Sequence, residues 1–315
     1  MDQTLPRLHL WVYNHPLEGI SDQIEFFFLL MKQNGYNVSL SRKPRLDALN
    51  IVIENFSEIT SQTLINFCEE SGKRVAIIMT EHLDLFGNEL LIHGDRLWTK
   101  NDYMHPSTQV ARIKNLLDCI PYLRVIFVLG DLPLLQGSDR IFPGVPIRNL
   151  PFPSLSRIDI SKQTPEKEVV FSGAETDFRR KVLKRIKKEH SLALTTQFLP
   201  RKDRNDLNRS ARIALNIPQR PGWGWLSLMR IIAALNCGRA TVSIETQDNS
   251  WISRCCIQLP EAAAKVKLGE IIEDWQGAYI TAHENYEKMR QDFLSERGFP
   301  YDLFELWALL EKKWL

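Results

Sequence analysis

The feature that most constrains this chain is an alternation of short apolar, β-branched runs with amphipathic helical stretches. The first half predicts strands at Leu8–Tyr13, Tyr36–Leu40, Ile51–Glu54, Val75–Met79 and Leu123–Leu129, and helices at Asp22–Gln33, Ser61–Ser71 and Thr108–Cys119. Apolar strands separated by amphipathic helices indicate parallel strands that are covered on both faces. The first half is therefore predicted to be an α/β unit.

The same alternation starts again after residue 167. It predicts strands at Glu168–Phe171, Leu192–Thr195, Ile213–Ile217, Thr241–Ile244 and Cys255–Leu259, and helices at Thr176–Glu189, Asp203–Arg209 and Leu226–Cys237, followed by a helical tail to Trp314. Between the two halves, Phe142–Ser156 carries prolines at 143, 146, 151 and 153, which exclude a helix or a central strand. We interpret this stretch as an inter-domain linker.

The predicted fold class is α/β, with two Rossmann-like, doubly wound domains that face a cleft. The predicted domains are residues 1–150 and residues 151–315, a division that suits a chain of 315 residues. Ligands of such sheets bind beyond the carboxyl ends of the strands, so the cleft is the expected site.

Composition narrows the function classes. Forty Lys and Arg against 38 Asp and Glu give a net charge of +2, which disfavours a nucleic-acid partner. No apolar run reaches the ~18 residues of a membrane-spanning helix, and the first residues show no signal-peptide pattern. Five cysteines without metal-ligand spacing indicate reduced thiols, with the neighbours Cys255 and Cys256 as small apolar strand residues. We expect a cytoplasmic protein.

Three stretches of the second half are candidate anion sites. After the strand that ends at Phe171, a turn with Gly173 leads to a helix capped by Thr176, and free N–H groups at a helix start favour an anion. Asn216 ends another strand, where such folds place ligand contacts. The alternative for each is an ordinary capped turn.

The third stretch is an unusual Trp223-Gly224-Trp225 loop before a helix. Ser227 lies near the start of that helix, and Arg230 follows one turn later. A helix N-terminus and a guanidinium fork suit a diphosphate or a carboxylate. A surface arginine beside an aromatic packing loop is the alternative.

These stretches resemble the nucleotide-binding half of GT-B glycosyltransferases, most closely the CgeB-like and related bacterial polysaccharide transferases. The matching segments are Phe171–Arg179, Arg204–Ile217 and Arg230–Ser243, and the resemblance covers roughly residues 168–290. It implies that residues 151–315 bind the nucleotide sugar and that residues 1–150 form the acceptor side. The residues that it implies for donor binding are Gly173, Thr176, Arg179, Arg204, Ser210, Asn216, Trp225, Ser227 and Arg230.

The chain departs from the family pattern at one point. Many such enzymes carry a Glu five residues before the helix-ending Gly, where this chain has Ala233, and the companion Glu would fall at Trp225. The paired carboxylates are therefore absent. Arg230 matches the Arg of the family's Arg-x-Phe-Glu motif. No Asp-x-Asp occurs, so we expect no metal and no other cofactor.

A transfer to a hydroxyl benefits from a general base on the acceptor side. Glu81 and His82 follow the strand Val75–Met79 and are the first candidates, with Asp84 nearby. His15, after the first strand, is the second candidate, and Asp102 and His105 are weaker ones. A helix-capping glutamate and a surface histidine are the alternatives for the first pair.

The stretch Arg179–Lys188 holds seven basic residues in ten. It is either a solvated helix face or a contact with anionic lipid headgroups. The sequence as a whole predicts a metal-independent glycosyltransferase that moves a sugar from a nucleotide donor to a glycan or lipid-linked glycan acceptor, with surface polysaccharide or lipopolysaccharide synthesis as the implied pathway. The alternatives are a non-catalytic nucleotide-sugar-binding protein, which the missing Glu at Ala233 motivates, and a nucleotide-sugar epimerase.

Overall fold

The computed structural model describes residues 5–13, 16–53, 56–100, 105–131, 138–195, 197 and 199–312. Its contacts divide the chain into two compact units. The first unit comprises Met1–Pro153 together with Glu296–Leu315, and the second comprises Ser154–Ser295. No helix of the described part is long and apolar enough to cross a membrane.

The first unit contains, in chain order, β1 (Leu8–Trp11), α1 (Leu17–Gln33), β2 (Val38–Ser41), β3 (Leu49–Ile53), α2 (Glu58–Ser71), β4 (Val75–Met79), β5 (Leu83–Phe86), β6 (Glu89–Ile92), β7 (Asp95–Arg96), α3 (Pro106–Asp118), β8 (Leu123–Leu129), α4 (Ser138–Ile141) and β9 (Ile147–Leu150). Six strands form a parallel sheet in the order β2-β1-β3-β4-β8-β9. Strands β3 and β4 are buried at every residue, as expected for a sheet with helices on both faces. The predicted doubly wound α/β unit is confirmed.

Two parts of the first unit differ from the sequence prediction. Strands β5, β6 and β7 form a small antiparallel sheet that the pattern did not reveal, because its strands carry charged residues and no buried apolar run marks them. Within Phe142–Ser156, which the sequence pattern suggests as an inter-domain linker, Ile147–Leu150 forms β9 and pairs with β8 at the sheet edge, and the two units divide between Pro153 and Ser154. An edge strand tolerates the flanking prolines that a central strand excludes.

Two glycines of the first unit form a matched pair for a stability test. Gly130 and Gly72 have φ values of +61° and +67°, so both have a left-handed backbone. A Cβ on Gly130 would lie 2.6 Å from Cε1 of Phe152, whereas a Cβ on Gly72 meets nothing within 4 Å. We expect Gly72→Ala to cost about 1 kcal/mol of unfolding free energy, from the left-handed backbone alone. Gly130→Ala should cost about 2 to 4 kcal/mol, because the overpacking adds to that strain. Urea denaturation of both variants measures this difference, and equal losses would contradict it.

The second unit contains β10 (Lys167–Ser172), α5 (Asp177–Glu189), β11 (Leu192–Thr195), α6 (Arg201–Arg209), β12 (Ala211–Asn216), α7 (Leu228–Leu235), β13 (Thr241–Ile244), β14 (Cys256–Leu259), α8 (Glu261–Glu273) and α9 (Trp275–Arg297). Its five strands are parallel, in the order β11-β10-β12-β13-β14. The second predicted doubly wound unit is confirmed. The order reverses between β10 and β12, and the crevice beyond their carboxyl ends is where sheets of this type bind ligands.

The end of the chain belongs with the first unit, whereas the sequence pattern groups it with the second domain. The last helix is α10 (Tyr301–Lys312), and its Phe304 and Trp307 are fully buried. Phe304 stacks on Phe127 of β8 with ring centroids 5.3 Å apart, and Tyr36 lies 5.1 Å from it. These aromatic contacts bury α10 against the first unit. The apolar periodicity of a helix shows that it has a buried face, but not which unit that face packs on.

Candidate functional site

A polar network lies at the carboxyl edge of the second sheet, where β12 and β13 end. Asn216 is buried and donates from Nδ2 to Oγ of Ser243 over 2.8 Å. Its Oδ1 accepts a 2.6 Å hydrogen bond from Nη1 of Arg230, which lies in the first turn of α7. The amide side chain of Asn216 therefore orients the guanidinium of Arg230 at the switch point of the sheet, which is the place between β10 and β12 where the strand order reverses.

The turn after β10 completes this arrangement. The guanidinium carbon of Arg230 lies 5.3 Å from the ring centroid of Phe171. A Cβ on Gly173 would lie 2.9 Å from Nη2 of Arg230. Glycine is thus the residue that lets the guanidinium lie against the turn, and the half-buried Arg230 forms the cationic centre of the edge.

Thr176 and Arg179 hold two loops together. Thr176 Oγ1 donates to the carbonyl of Gln219 over 2.6 Å and accepts from the N–H of Arg179, which confirms its predicted place as the cap of α5. The buried Arg179 donates to the carbonyls of Ile217 and Ala174, at 2.9 and 2.8 Å. These two side chains fasten the loop after β10 to the loop after β12, so they shape the edge of the sheet.

The tryptophan loop and the start of α7 lie at the same edge. The rings of Trp223 and Trp225 meet edge to face at 5.6 Å, and Asp248 accepts from the N–H of Leu226 over 2.7 Å. Ser227 occupies the N-cap position of α7 without a side-chain cap bond. Sequence reasoning missed Asp248, Ser243 and the ring of Phe171. Phe171 and Ser243 lay within segments of the family resemblance, and Asp248 lay outside them.

Ser210 and Arg204 are not brought to this edge. Ser210 follows α6, its Oγ donates to the carbonyl of Leu207, and its own carbonyl accepts from Lys167 at the start of β10. That position is the amino edge of the sheet, about 20 Å from Asn216 at the rise of a parallel strand. The half-buried Arg204 lies in α6, the helix that leads into the amino end of β12.

In the first unit, Glu81 is the centre of an ion-pair cluster. Its two carboxylate oxygens face Nε2 of His93 at 2.5 Å and Nη2 of Arg112 at 2.8 Å. Burial acts to raise the pKa of Glu81, but His93 and Arg112 outweigh it and leave the pKa below its ordinary value. His82 is buried, with its ring centroid 5.3 Å from that of His93.

A pH dependence of stability follows from the lowered pKa of Glu81. The stabilisation is fully present above the ordinary pKa of 4.5 and is lost as the pH falls towards about 2, because protonation removes both ion pairs. We expect Glu81→Gln to destabilise the first unit at neutral pH and to flatten the acid limb of its stability curve between those values. Urea midpoints measured across this range, with Glu89→Gln on the exposed Glu89–Arg96 pair as the control, test it. An unchanged acid limb would contradict the ion-pair role.

The remaining candidates have separate places. Asp84 lies in β5 opposite Leu91, and His105 caps α3 through Nδ1, which accepts from the N–H of Ser107. His15 and Asp102 lie outside the described residues. Within the described ranges, no group of three or more His, Cys, Asp and Glu side chains is arranged to hold a metal ion.

Comparisons with known proteins give fold likenesses only. No protein-family model matches the sequence, and no curated protein matches it. A solved DNA-modifying β-glucosyltransferase, studied with and without uridine diphosphoglucose, is 12% identical, with a TM-score of 0.46 over 92% of this chain and 98% of that one.

An α1,3-fucosyltransferase is 11% identical, with a TM-score of 0.39 over 100% of this chain and 91% of that one. TarM is 12% identical, with a TM-score of 0.42 over 85% of this chain, which spans about half (55%) of the TarM chain. At these scores the likenesses establish neither a family nor an activity for this chain.

Proposed function

We propose that this protein is a glycosyltransferase that takes a sugar from a nucleotide-activated donor. The observation that carries the proposal is Arg230, which Asn216 orients above Gly173 at the point where the strand order reverses. A guanidinium at this point of a doubly wound sheet suits a diphosphate, and the sequence of the same segments resembles the donor half of GT-B enzymes.

The proposed donor site comprises Gly173, Asn216, Trp225, Ser227 and Arg230. Thr176 and Arg179 position its loops, and Arg204 and Ser210 are left out because of their places in the second unit. In the transfer, negative charge accumulates on the departing nucleoside diphosphate. We assign the stabilisation of that charge to Arg230 and to the N–H groups at the start of α7, without a metal ion.

For the acceptor hydroxyl, we propose His82 as the general base. A base is most effective when its pKa lies near the operating pH, and the carboxylate of Glu81 is a weaker base because its ion pairs lower its pKa. The proposed acceptor is a glycan or a lipid-linked glycan, with surface polysaccharide synthesis as the pathway that the sequence resemblance suggests.

The test is incubation of the purified protein with UDP-, GDP-, TDP-, ADP- and CMP-activated sugars, with the free nucleotide measured by chromatography. The proposal expects slow release of one nucleotide, with water as the acceptor, and the same rate after EDTA treatment. A rate that EDTA abolishes would contradict the metal-independent mechanism. Release of no nucleotide, with or without added glycans, would contradict the transferase.

One observation favours a second candidate function. Ala233 is buried in α7, at the place where the sequence resemblance leads one to look for a donor-binding carboxylate. A protein without that carboxylate could bind a nucleotide sugar and not transfer it. Selective binding of one nucleotide sugar, without any turnover, would identify this non-catalytic function.

A further inference from the structure

The outer face of α5 is rich in basic residues, with exposed carboxylates only at its first residue, Asp177, and its last residue, Glu189. Its buried face consists of Val182, Leu183 and Ile186 with the side chain of Arg179. At 100° per residue, the exposed basic residues form one continuous arc of about 160° around the helix. They are Arg180, Lys181, Lys184, Arg185, Lys187 and Lys188.

The charge of this arc is neutralised only at its margins. Arg180 pairs with Glu175 and Asp177 at 3.1 and 2.7 Å, and Arg185 pairs with Glu261 of α8. The other four basic residues of the arc form the lysine face, which we define as Lys181, Lys184, Lys187 and Lys188. No described carboxylate lies within ion-pair distance of these four ammonium groups.

We propose that the lysine face docks on an anionic phospholipid surface. Four exposed ammonium groups on one helix attract a negatively charged surface without selecting a particular headgroup, since lysine presents a point charge and not a planar fork. The arc contains no apolar side chain, so the contact is electrostatic and not an insertion.

A lipid surface fits the face better than a nucleic acid does. Single strands are bound by basic residues interleaved with aromatic rings, and the exposed arc of α5 has none. The charge of the whole chain, +2, is also small for a nucleic-acid binder. The inference rests on charge and geometry alone, so it stands or falls independently of the proposed sugar transfer.

The experiment is co-sedimentation of the full chain with phosphatidylcholine vesicles that contain or lack phosphatidylglycerol, at low and at high salt. We expect binding only to the anionic vesicles and its loss at high salt, because salt screens exposed charges. A fourfold variant, with Gln at 181, 184, 187 and 188, should lose binding by about 600-fold, since each lysine near such a surface contributes about fivefold.

The matched control carries Gln at four other exposed lysines, Lys32, Lys43, Lys162 and Lys288. Both variants change the net charge from +2 to −2, so they differ only in where the charge is removed. Retained binding by the control supports the lysine face. An equal loss in both variants, equal binding of the wild type to both vesicles, or binding to double-stranded DNA without vesicle binding would overturn the proposal.

Discussion

Arg230→Ala is expected to abolish most donor turnover while the second unit stays folded. Asn216 orients the guanidinium of Arg230 at the switch point. In the proposed transfer, this guanidinium contacts the diphosphate of the bound donor and keeps that contact as negative charge accumulates on the diphosphate. Removal of one such charge-stabilising donor costs about 10²- to 10³-fold in kcat. Steady-state release of the nucleotide from the donor measures this loss, and circular dichroism checks the fold.

The matched controls for Arg230 come from the same unit. Ser210→Ala removes a side chain that the sequence resemblance implies for donor binding but that lies at the amino edge of the sheet. Because small changes away from a site have small effects, we expect the kcat of this variant to stay within about twofold of the wild type. Asn216→Ala frees the guanidinium and should cost less than Arg230→Ala itself. Wild-type turnover in Arg230→Ala would show that the donor is bound elsewhere.

Arg239→Met is expected to have the largest effect on stability. Arg239 is fully buried and donates to the carbonyls of Ala211, Cys237, Gly238 and Arg209 and to the side chain of Gln163. Its guanidinium also lies 4.8 Å from the ring centroid of Trp275. Burial lowers the pKa of Arg239 to about 10, so the group stays cationic at neutral pH.

The loss expected for Arg239→Met is about 3 to 5 kcal/mol, because methionine fills much of the volume but leaves several buried carbonyls without a donor. Urea titration of the wild type and the variant measures this loss as the difference in the free energy of unfolding of the second unit. Arg185→Met is the control, since its exposed pair with Glu261 contributes about 0 to 1 kcal/mol. A loss below about 1 kcal/mol for Arg239→Met would contradict its structural role.

The sheets were predictable from the sequence because burial on both faces forces continuous apolar runs. Strands β4 and β8 lie where Val75–Met79 and Leu123–Leu129 predict them. Helix α7 is shorter than Leu226–Cys237, since its first residues are held by Asp248 and its last ones turn towards Gly238. The small sheet of β5–β7 was not predictable in this way, because its strands carry charged residues and are mostly half-buried or exposed, so no continuous apolar run marks them.

The site was predictable only in its local parts. Gly173, Asn216 and Arg230 are marked by their places at a strand end or a helix start, and the topology brings them together. Ser210 lay in a matching segment but at the opposite edge, since a segment of sequence does not state which end of a strand it occupies. Asp248 and the partners of Glu81 could not be predicted, because they depend on loops that meet only in three dimensions.

The most direct test of the central claim is a thermal-shift measurement of the wild type and Arg230→Ala against UDP, GDP, TDP, ADP and CMP. A ligand that binds only the native state stabilises it by RT ln(1 + [L]/Kd) and so raises the melting temperature. A selective rise with one nucleotide for the wild type, and its loss in Arg230→Ala, is the predicted result. No rise with any nucleotide, or an equal rise in both proteins, would contradict a donor site at Arg230.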